Sequence, residues 1–271
     1  MLAINILSFS CPLLLCAMGA LYSDYAGILA IFLEGLVSFS AYFMFYFTVT
    51  TGSAALGMLF TSLICVAAVV FFATIIEKLH ANPFIGATAI NLLFSALPSF
   101  FATLHFKNRG VLTSEAFSFP VMQTKVFTVI FSLVILSLAF LFLLKTRPGL
   151  YIRITGSDSD VLTAKGVNPV WCRIQAWGFA AFFASLSGAF LCMRVSSFVP
   201  GISSGRGWMA LAAVYLGKKN PVRITISVLI FCAADFFATS IQNYLPAIPT
   251  SIVLSLPYIV ILLVIGLEKQ K

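Results

Sequence analysis

Charge is scarce in this sequence. Of 271 residues, 16 are Lys or Arg and 8 are Asp or Glu, so charged residues make up 9% of the chain. Soluble domains carry about 25%, and a chain this poor in charge cannot clothe itself for water. Histidine is equally sparse, with His80 and His105 in different loops. No HExxH element and no glycine-rich phosphate loop is present, which excludes a zinc-protease design of that type and ATP hydrolysis by the chain itself. The six cysteines (Cys11, Cys16, Cys65, Cys172, Cys192 and Cys232) lie in or beside apolar runs without paired spacing. They read as small core residues, not as disulfides or metal ligands. No catalytic residue, metal site or cofactor is expected, and the chain does not read as an enzyme.

What is present is apolar length. Hydrophobic residues make up 61% of the chain, and the mean hydropathy is +1.07. The apolar runs are continuous and about 20 residues long, the length a helix needs to cross a bilayer, whereas barrel strands alternate over about 10 residues. Candidate spans lie at 2–21, 28–48, 54–76, 84–104, 124–145, 173–194, 222–243 and 247–267. The first run lacks the basic start of a signal peptide, and Leu14-Leu15-Cys16 is a poor lipoprotein cleavage site, so it is expected to be a retained span. The expected fold is an all-α integral membrane bundle of eight to nine transmembrane helices, a single domain over 1–271.

The net charge of +8 does not point to nucleic acid, because the basic residues fall in short loops between apolar runs. Lys145, Arg147, Arg153, Lys165 and Arg173, then Lys218, Lys219 and Arg223, with Lys78, Lys269 and Lys271, mark the cytoplasmic side by the positive-inside rule. The run 173–194 must then cross outward, and the chain must return before Lys218. The return passes through 198–217, which contains Pro200-Gly201 and Gly205-Arg206-Gly207. Its helical part, 206–217, reaches only about 18 Å against a core of about 30 Å. A broken span is expected, its half-helix starting near the capping residues Ser203 and Ser204, with its positive end inside the protein. Transporters place such ends at substrate sites; a re-entrant loop with only a packing role is the alternative.

Glu34 and Asp235 lie within apolar runs, where a carboxylate costs about 2.5–3.5 kcal/mol on insertion scales. Glu34 reads as a polar anchor in a substrate path, as a partner for a cation such as Arg206, or as half of a structural pair fixing helix register. Asp235, between Ala233-Ala234 and Phe236-Phe237, reads as structural. The amides Asn91, Gln242 and Asn243 are expected to hydrogen-bond neighbouring helices. Small residues at Ala180, Ala184 and Gly188 recur every fourth position and suit close helix packing.

Residues 146–172 form the one sizeable cytoplasmic segment. Ser157-Asp158-Ser159-Asp160 offers N-caps for a short helix through VLTAKG that ends at Gly166, and Asn168-Pro169 opens the next span. A capped helix with mixed charge suits the docking of a partner.

Four stretches carry a family resemblance: PLLLCAMGALYSDYAGILAIFLEGL (12–36), ANPFIGATAINLL (81–93), RITGSDSDVLTAKGVNP (153–169) and GRGWMALAAVYLGKKNP (205–221). PYIVILLVIGL (257–267) is similar to the family's closing span. The chain resembles the permease subunits of ABC importers for simple sugars and nucleosides, relatives of the ribose and branched-chain amino acid permeases, and looks closest to the nucleoside branch. It departs in beginning almost at the PLLL helix, where the family has a further N-terminal span. Phe32 also stands where the family usually has a small glycine.

The resemblance implies a multi-pass protein of the bacterial plasma (inner) membrane that works by alternating access. It implies a cytoplasmic ABC ATPase, a second permease copy or related permease, and an extracytoplasmic substrate-binding (lipo)protein as partners, with lipid around it and no nucleic acid. It assigns ATPase coupling to Gly156, Ser157, Asp158, Ala164, Gly166, Asn168 and Pro169. The substrate path is expected at Glu34, Asn91, Ser204, Arg206 and Trp208. Riboflavin or a related ribityl compound is an alternative cargo, and an ion-coupled secondary transporter is the alternative class.

Overall fold

The computed structural model describes residues 2–244, together with Ser255, Tyr258, Ile259, Leu262 and Gly266. The expected closing span 247–267 and the tail lysines therefore lie outside the described residues, apart from those five positions. The described residues form ten α-helices: α1 (Leu2–Tyr25), α2 (Leu33–Thr51), α3 (Ala54–Lys78), α4 (Pro83–Phe106), α5 (Val121–Lys145), α6 (Arg147–Thr155), α7 (Ser159–Ala164), α8 (Pro169–Val195), α9 (Arg206–Gly217) and α10 (Pro221–Tyr244). A 3₁₀ turn at Glu115–Phe117 lies between α4 and α5. The fold is all-α, and six of these helices (α1, α3, α4, α5, α8 and α10) are long and apolar enough to cross a membrane. Helical backbone is what the bilayer demands, since it satisfies its own polar groups.

Three helices form the centre, with α2 buried along most of Leu33–Phe45. The spans of α1 and α8 are 78% and 89% buried, whereas those of α3, α4, α5 and α10 are 22–28% buried and turn most of their surface outward. Small residues let the centre close. A Cβ on Gly19 of α1 would sit 2.9 Å from the Ala180 carbonyl oxygen of α8. One on Gly188 would fall on the Val37 carbonyl and Ser40 Oγ of α2. The spaced small residues of α8 thus serve two partners, α1 at Ala180 and α2 at Gly188.

The second apolar run does not begin where hydropathy places it. Residues 26–32 are not helical, and α2 starts only at Leu33. Gly27 is left-handed (φ +76), and the backbone closes through Ile28 N–H to the Ser23 carbonyl, Ala30 N–H to Ser23 Oγ and Leu33 N–H to the Ala30 carbonyl. Composition alone cannot separate this apolar turn from helix, because lipid-compatible side chains are needed in both.

The basic loops share one end of the bundle, as the charge pattern predicts. Glu77 pairs with Arg173 at 3.8 Å, which brings the end of α3 to the start of α8. Gly156 N–H donates to the Tyr25 carbonyl at 3.1 Å, bringing 146–168 to the end of α1. At the opposite end, Leu112 and Phe198 form an antiparallel bridge, and Phe119 N–H donates to Ser196 Oγ.

The two glycines of α8 should respond differently to added bulk. Gly188→Leu drives a side chain into the backbone of α2, and overpacking costs about 1–3 kcal/mol; the detergent-solubilised protein should melt lower or aggregate. Gly178→Ala, whose Cβ meets only a Val70 methyl at 3.3 Å, should melt close to wild type. Tryptophan-fluorescence melts of the two variants check both outcomes.

Candidate functional site

The segment leading to α9 is irregular and its helix short, as the sequence predicts, and the helix start is capped by another helix. Residues 196–205 are irregular, with Ser196, Gly201, Ser204 and Gly205 all left-handed. The α9 helix runs only from Arg206 to Gly217, 12 residues or about 18 Å. Its N-cap is Gly205, which has no side chain to offer. An α-helix begins with amides that lack intrahelical partners. Here Glu34, in the first turn of α2, supplies the acceptors. Glu34 Oε1 accepts from Gly205 N–H at 2.8 Å and from Ser203 Oγ–H at 2.6 Å, and Oε2 accepts from Gly207 N–H at 2.7 Å.

This changes two expectations. Ser203 and Ser204 do not cap the half-helix with their own oxygens: the Ser203 hydroxyl donates to Glu34, and the Ser204 hydroxyl donates to the Gly201 carbonyl. Glu34 does not pair with Arg206. The guanidinium instead meets Asp235 of α10 at 3.4 Å and lies 5.4 Å from the Phe9 ring of α1. The reason is the direction of the helix start. The amides of Gly205 and Gly207 face α2 and saturate the carboxylate, while the side chain of Arg206 leaves toward α1 and α10.

Close approach makes the cap possible. A Cβ at Gly207 would fall on the backbone of Glu34, so α9 rests directly on the first turn of α2. That turn is itself capped from outside. Phe32 stands at its N-cap without a side-chain hydrogen bond, and Gly35 N–H donates to Asn91 Oδ1 of α4 at 2.7 Å. A Cβ on Gly35 would fall on the Asn91 carbonyl. Two helix starts thus meet, each closed by a polar side chain from a different helix. Ser38, one turn above Glu34, donates to Ser203 at 2.8 Å and extends the contact.

The five expected path residues separate into two groups. Glu34 and Asn91 are engaged in capping, and Asn91 is 8% exposed. Arg206 is half-buried beside Asp235, whereas Ser204 and Trp208 are exposed, Trp208 by 47%. Asp235 was legible only as a structural carboxylate, yet it partners an expected path residue. Tyr258 Oη–H, which donates to the Ser204 carbonyl at 3.2 Å, was not foreseen either. The side chains of Gln242 and Asn243 lie outside the described residues.

The expected coupling residues are gathered at the basic end. Asp158 caps α7, accepting from Asp160 and Val161 N–H, and Asn168 caps α8, accepting from Val170 N–H. Gly166 is left-handed (φ +74) where α7 ends, and Leu162 is fully buried and anchors that helix. Gly156, Ser157, Asp158, Ala164, Gly166 and Asn168 are exposed, and Pro169 is half-buried. A second short helix, α6, precedes them and was not anticipated. Its signal was present in Thr146-Arg147-Pro148: Thr146 Oγ1 accepts from Gly149 N–H, and Pro148 occupies the first turn.

With this geometry in view, the chain belongs to the family described as branched-chain amino acid transport system / permease component, whose profile matches residues 2–265. It is a multi-pass membrane transport subunit. It is similar to the nucleoside ABC transporter permease protein NupC of Lactococcus lactis subsp. cremoris, 26% identical over 97% of this chain and 90% of that protein. The guanosine ABC transporter permease protein NupQ of Bacillus subtilis is 27% identical over 95% of this chain and 88% of its own length. The putative glucose ABC transporter permease protein TsgC13 of Haloferax volcanii is 26% identical over 82% and 72%. Among solved structures, PsaBC from Streptococcus pneumoniae in complex with Fab shares the fold at a TM-score of 0.61. It is 12% identical, covering 98% of this chain and 91% of that one.

Removing the Glu34 carboxylate should unseat α9. Glu34→Ala leaves the Gly205 and Gly207 amides unpaired, at about 1–3 kcal/mol each, while Glu34→Gln keeps one acceptor oxygen. Melting temperature in detergent should fall in the order wild type, Glu34→Gln, Glu34→Ala. If Glu34→Ala melted like wild type, the capping role would be wrong.

Proposed function

We propose that this chain is the permease subunit of an ATP-driven importer for nucleosides, with simple sugars as the second substrate class. The observation that carries the reading is the coupling segment. A capped, exposed helix at the basic end is anchored to the bundle through Leu162 and through the Gly156 contact with Tyr25, in a chain that belongs to a permease family. The nucleoside and guanosine permeases align with 97% and 95% of the chain and the glucose permease with 82%, which favours nucleosides. The names of these relatives lend no support to a flavin.

In this reading the bundle is one domain with eight or nine spans. The six apolar helices are joined by α2, by the broken 198–217 crossing and by 247–267. It works beside a second permease copy or a related permease, a cytoplasmic ATPase docked on 156–169, and an extracytoplasmic binding lipoprotein. The ATPase hydrolyses ATP and this subunit does not. The cargo path passes the junction of α2 and α9. Ser204, Arg206 and Trp208 contact the cargo, and Glu34 and Asn91 hold the path's shape. Alternating access then requires that cargo and ATPase bind the inward and outward states with different affinity.

The competing class, an ion-coupled transporter, needs a carboxylate free to exchange its ion. The Glu34 oxygens are already engaged by two amides and a hydroxyl, and Asp235 faces Arg206. That arrangement favours the ATP-driven reading.

The test is uptake of tritiated guanosine, ribose and glucose in cells expressing the chain with its ATPase and binding protein. Uptake should survive a protonophore while ATP is maintained and should vanish when the ATPase is deleted. Asp158→Lys, which replaces the α7 cap with a cation at a helix start, should lower both uptake and co-purification of the ATPase about tenfold, the equivalent of ~1.4 kcal/mol. Uptake that persists without the ATPase and collapses with the protonophore would overturn the proposal in favour of ion coupling.

A further inference from the structure

The cytoplasmic ends of three elements converge on one aromatic ring. Tyr25 ends α1, and its hydroxyl donates to the Lys219 carbonyl in the turn between α9 and α10 at 2.7 Å. Lys219 answers from the other direction. Its Nζ donates to the Asp24 carbonyl at 3.1 Å and lies 3.7 Å from Asp24 Oδ2. The Tyr25 ring also carries two cations, the guanidinium of Arg153 on α6 at 5.7 Å and Lys219 Nζ at 5.8 Å from its centroid. The Tyr25 carbonyl, finally, accepts from Gly156 N–H. One residue is therefore bonded at its main chain to the coupling segment and at its side chain to the foot of α9.

The turn it holds is tight. Lys218 and Lys219 are both left-handed, at φ 46 and 61, a conformation non-glycine residues rarely adopt. A Cβ on Gly217 would fall on Ile224 of α10, so the end of α9 has no slack against the next helix. Twelve residues above, the same rigid helix rests on Glu34.

We propose that Tyr25 is the positioning residue that turns movement of the coupling segment 147–168 into movement of α9, and so delivers it to the α2–α9 junction. This rests on the importer reading. Arg153 and Gly156 bring the input, Tyr25 passes it to Lys219, and α9 carries it to mid-bundle as a rod about 18 Å long. Small shifts are transmitted this way because packed elements move as discrete bodies and do not deform smoothly.

The test uses the assembled importer (permease, ATPase and binding protein) in proteoliposomes, with tritiated guanosine, ribose and glucose as cargo and ATP hydrolysis followed in parallel. Tyr25→Phe removes only the hydroxyl. Complex assembly and basal ATP hydrolysis should match wild type, while cargo moved per ATP should fall about fivefold, within the span expected for one lost hydrogen bond. In that background, Asp24→Cys and Lys219→Cys joined by a short bis-methanethiosulfonate, which links the two thiols through disulfides and releases methanesulfinate, should restore the ratio, and cleavage of those disulfides by a thiol reductant should abolish the rescue. A residue that only stabilised the fold would alter assembly and would not be rescued in this way. A Tyr25→Phe importer that moves as much cargo per ATP as wild type, or one that the cross-link fails to rescue, overturns the proposal. A wild-type complex with neither ATP-driven uptake nor ATPase association overturns the importer reading itself and the positioning role of Tyr25 with it.

Discussion

Glu34 stands in the first turn of one helix and closes the first turn of another. Both helix starts carry partial positive charge, which a carboxylate stabilises by about 0.3–1 kcal/mol at exposed sites and up to ~2 kcal/mol in favourable buried ones. In an apolar medium the alternative for the Gly205 and Gly207 amides is no partner at all. The carboxylate and the half-helix therefore depend on each other. Without the half-helix, Glu34 would be a costly charge among apolar side chains; without Glu34, α9 would begin with open donors. The glycines at 35 and 207 follow from the same constraint, because the caps need backbone-to-backbone contact.

Much of the architecture was legible in the apolar runs, since helices that cross a bilayer must be long and continuous. Local caps were legible as well: Asp158 and Asn168 act where their positions predict, because a cap and its amides lie within three residues. What failed was non-local. Ser203 and Ser204 looked like caps because nearby hydroxyls usually serve, yet the acceptor came from Glu34, which is 171 residues from Gly205 along the chain. Arg206 and Glu34 looked like partners by charge, but side-chain direction at the helix start gave Arg206 to Asp235. The late start of α2 was hidden because residues 28–33 are all apolar. Hydropathy reports what lipid tolerates and says nothing of how the backbone turns.

The division of labour among the helices follows from their surfaces. The α1 and α8 helices are enclosed and bind each other through small residues, so they form a frame with little room for change. The outer helices expose most of their surface and are packed closely only along inward stripes, such as Gly57, Thr61 and Cys65 of α3. Between these, α9 is short, capped at one end by α2 and clasped at the other by Tyr25. Between those ends one face of α9, with Met209, Ala210, Ala213, Val214 and Leu216, is buried in the bundle beside α1 and α10, so the helix is placed accurately and would move as a unit.

The separation between Glu34 and its partners also has a consequence for how the protein is made. At about 5–20 residues per second, Gly205 leaves the ribosome roughly 10–35 s after Glu34. For that interval α2 holds, in its first turn, a carboxylate without its final donors. The bundle therefore passes through a stage in which its most polar interior group waits for a segment not yet synthesised. Faulty assembly, degradation and the need for insertion machinery should concentrate at that stage.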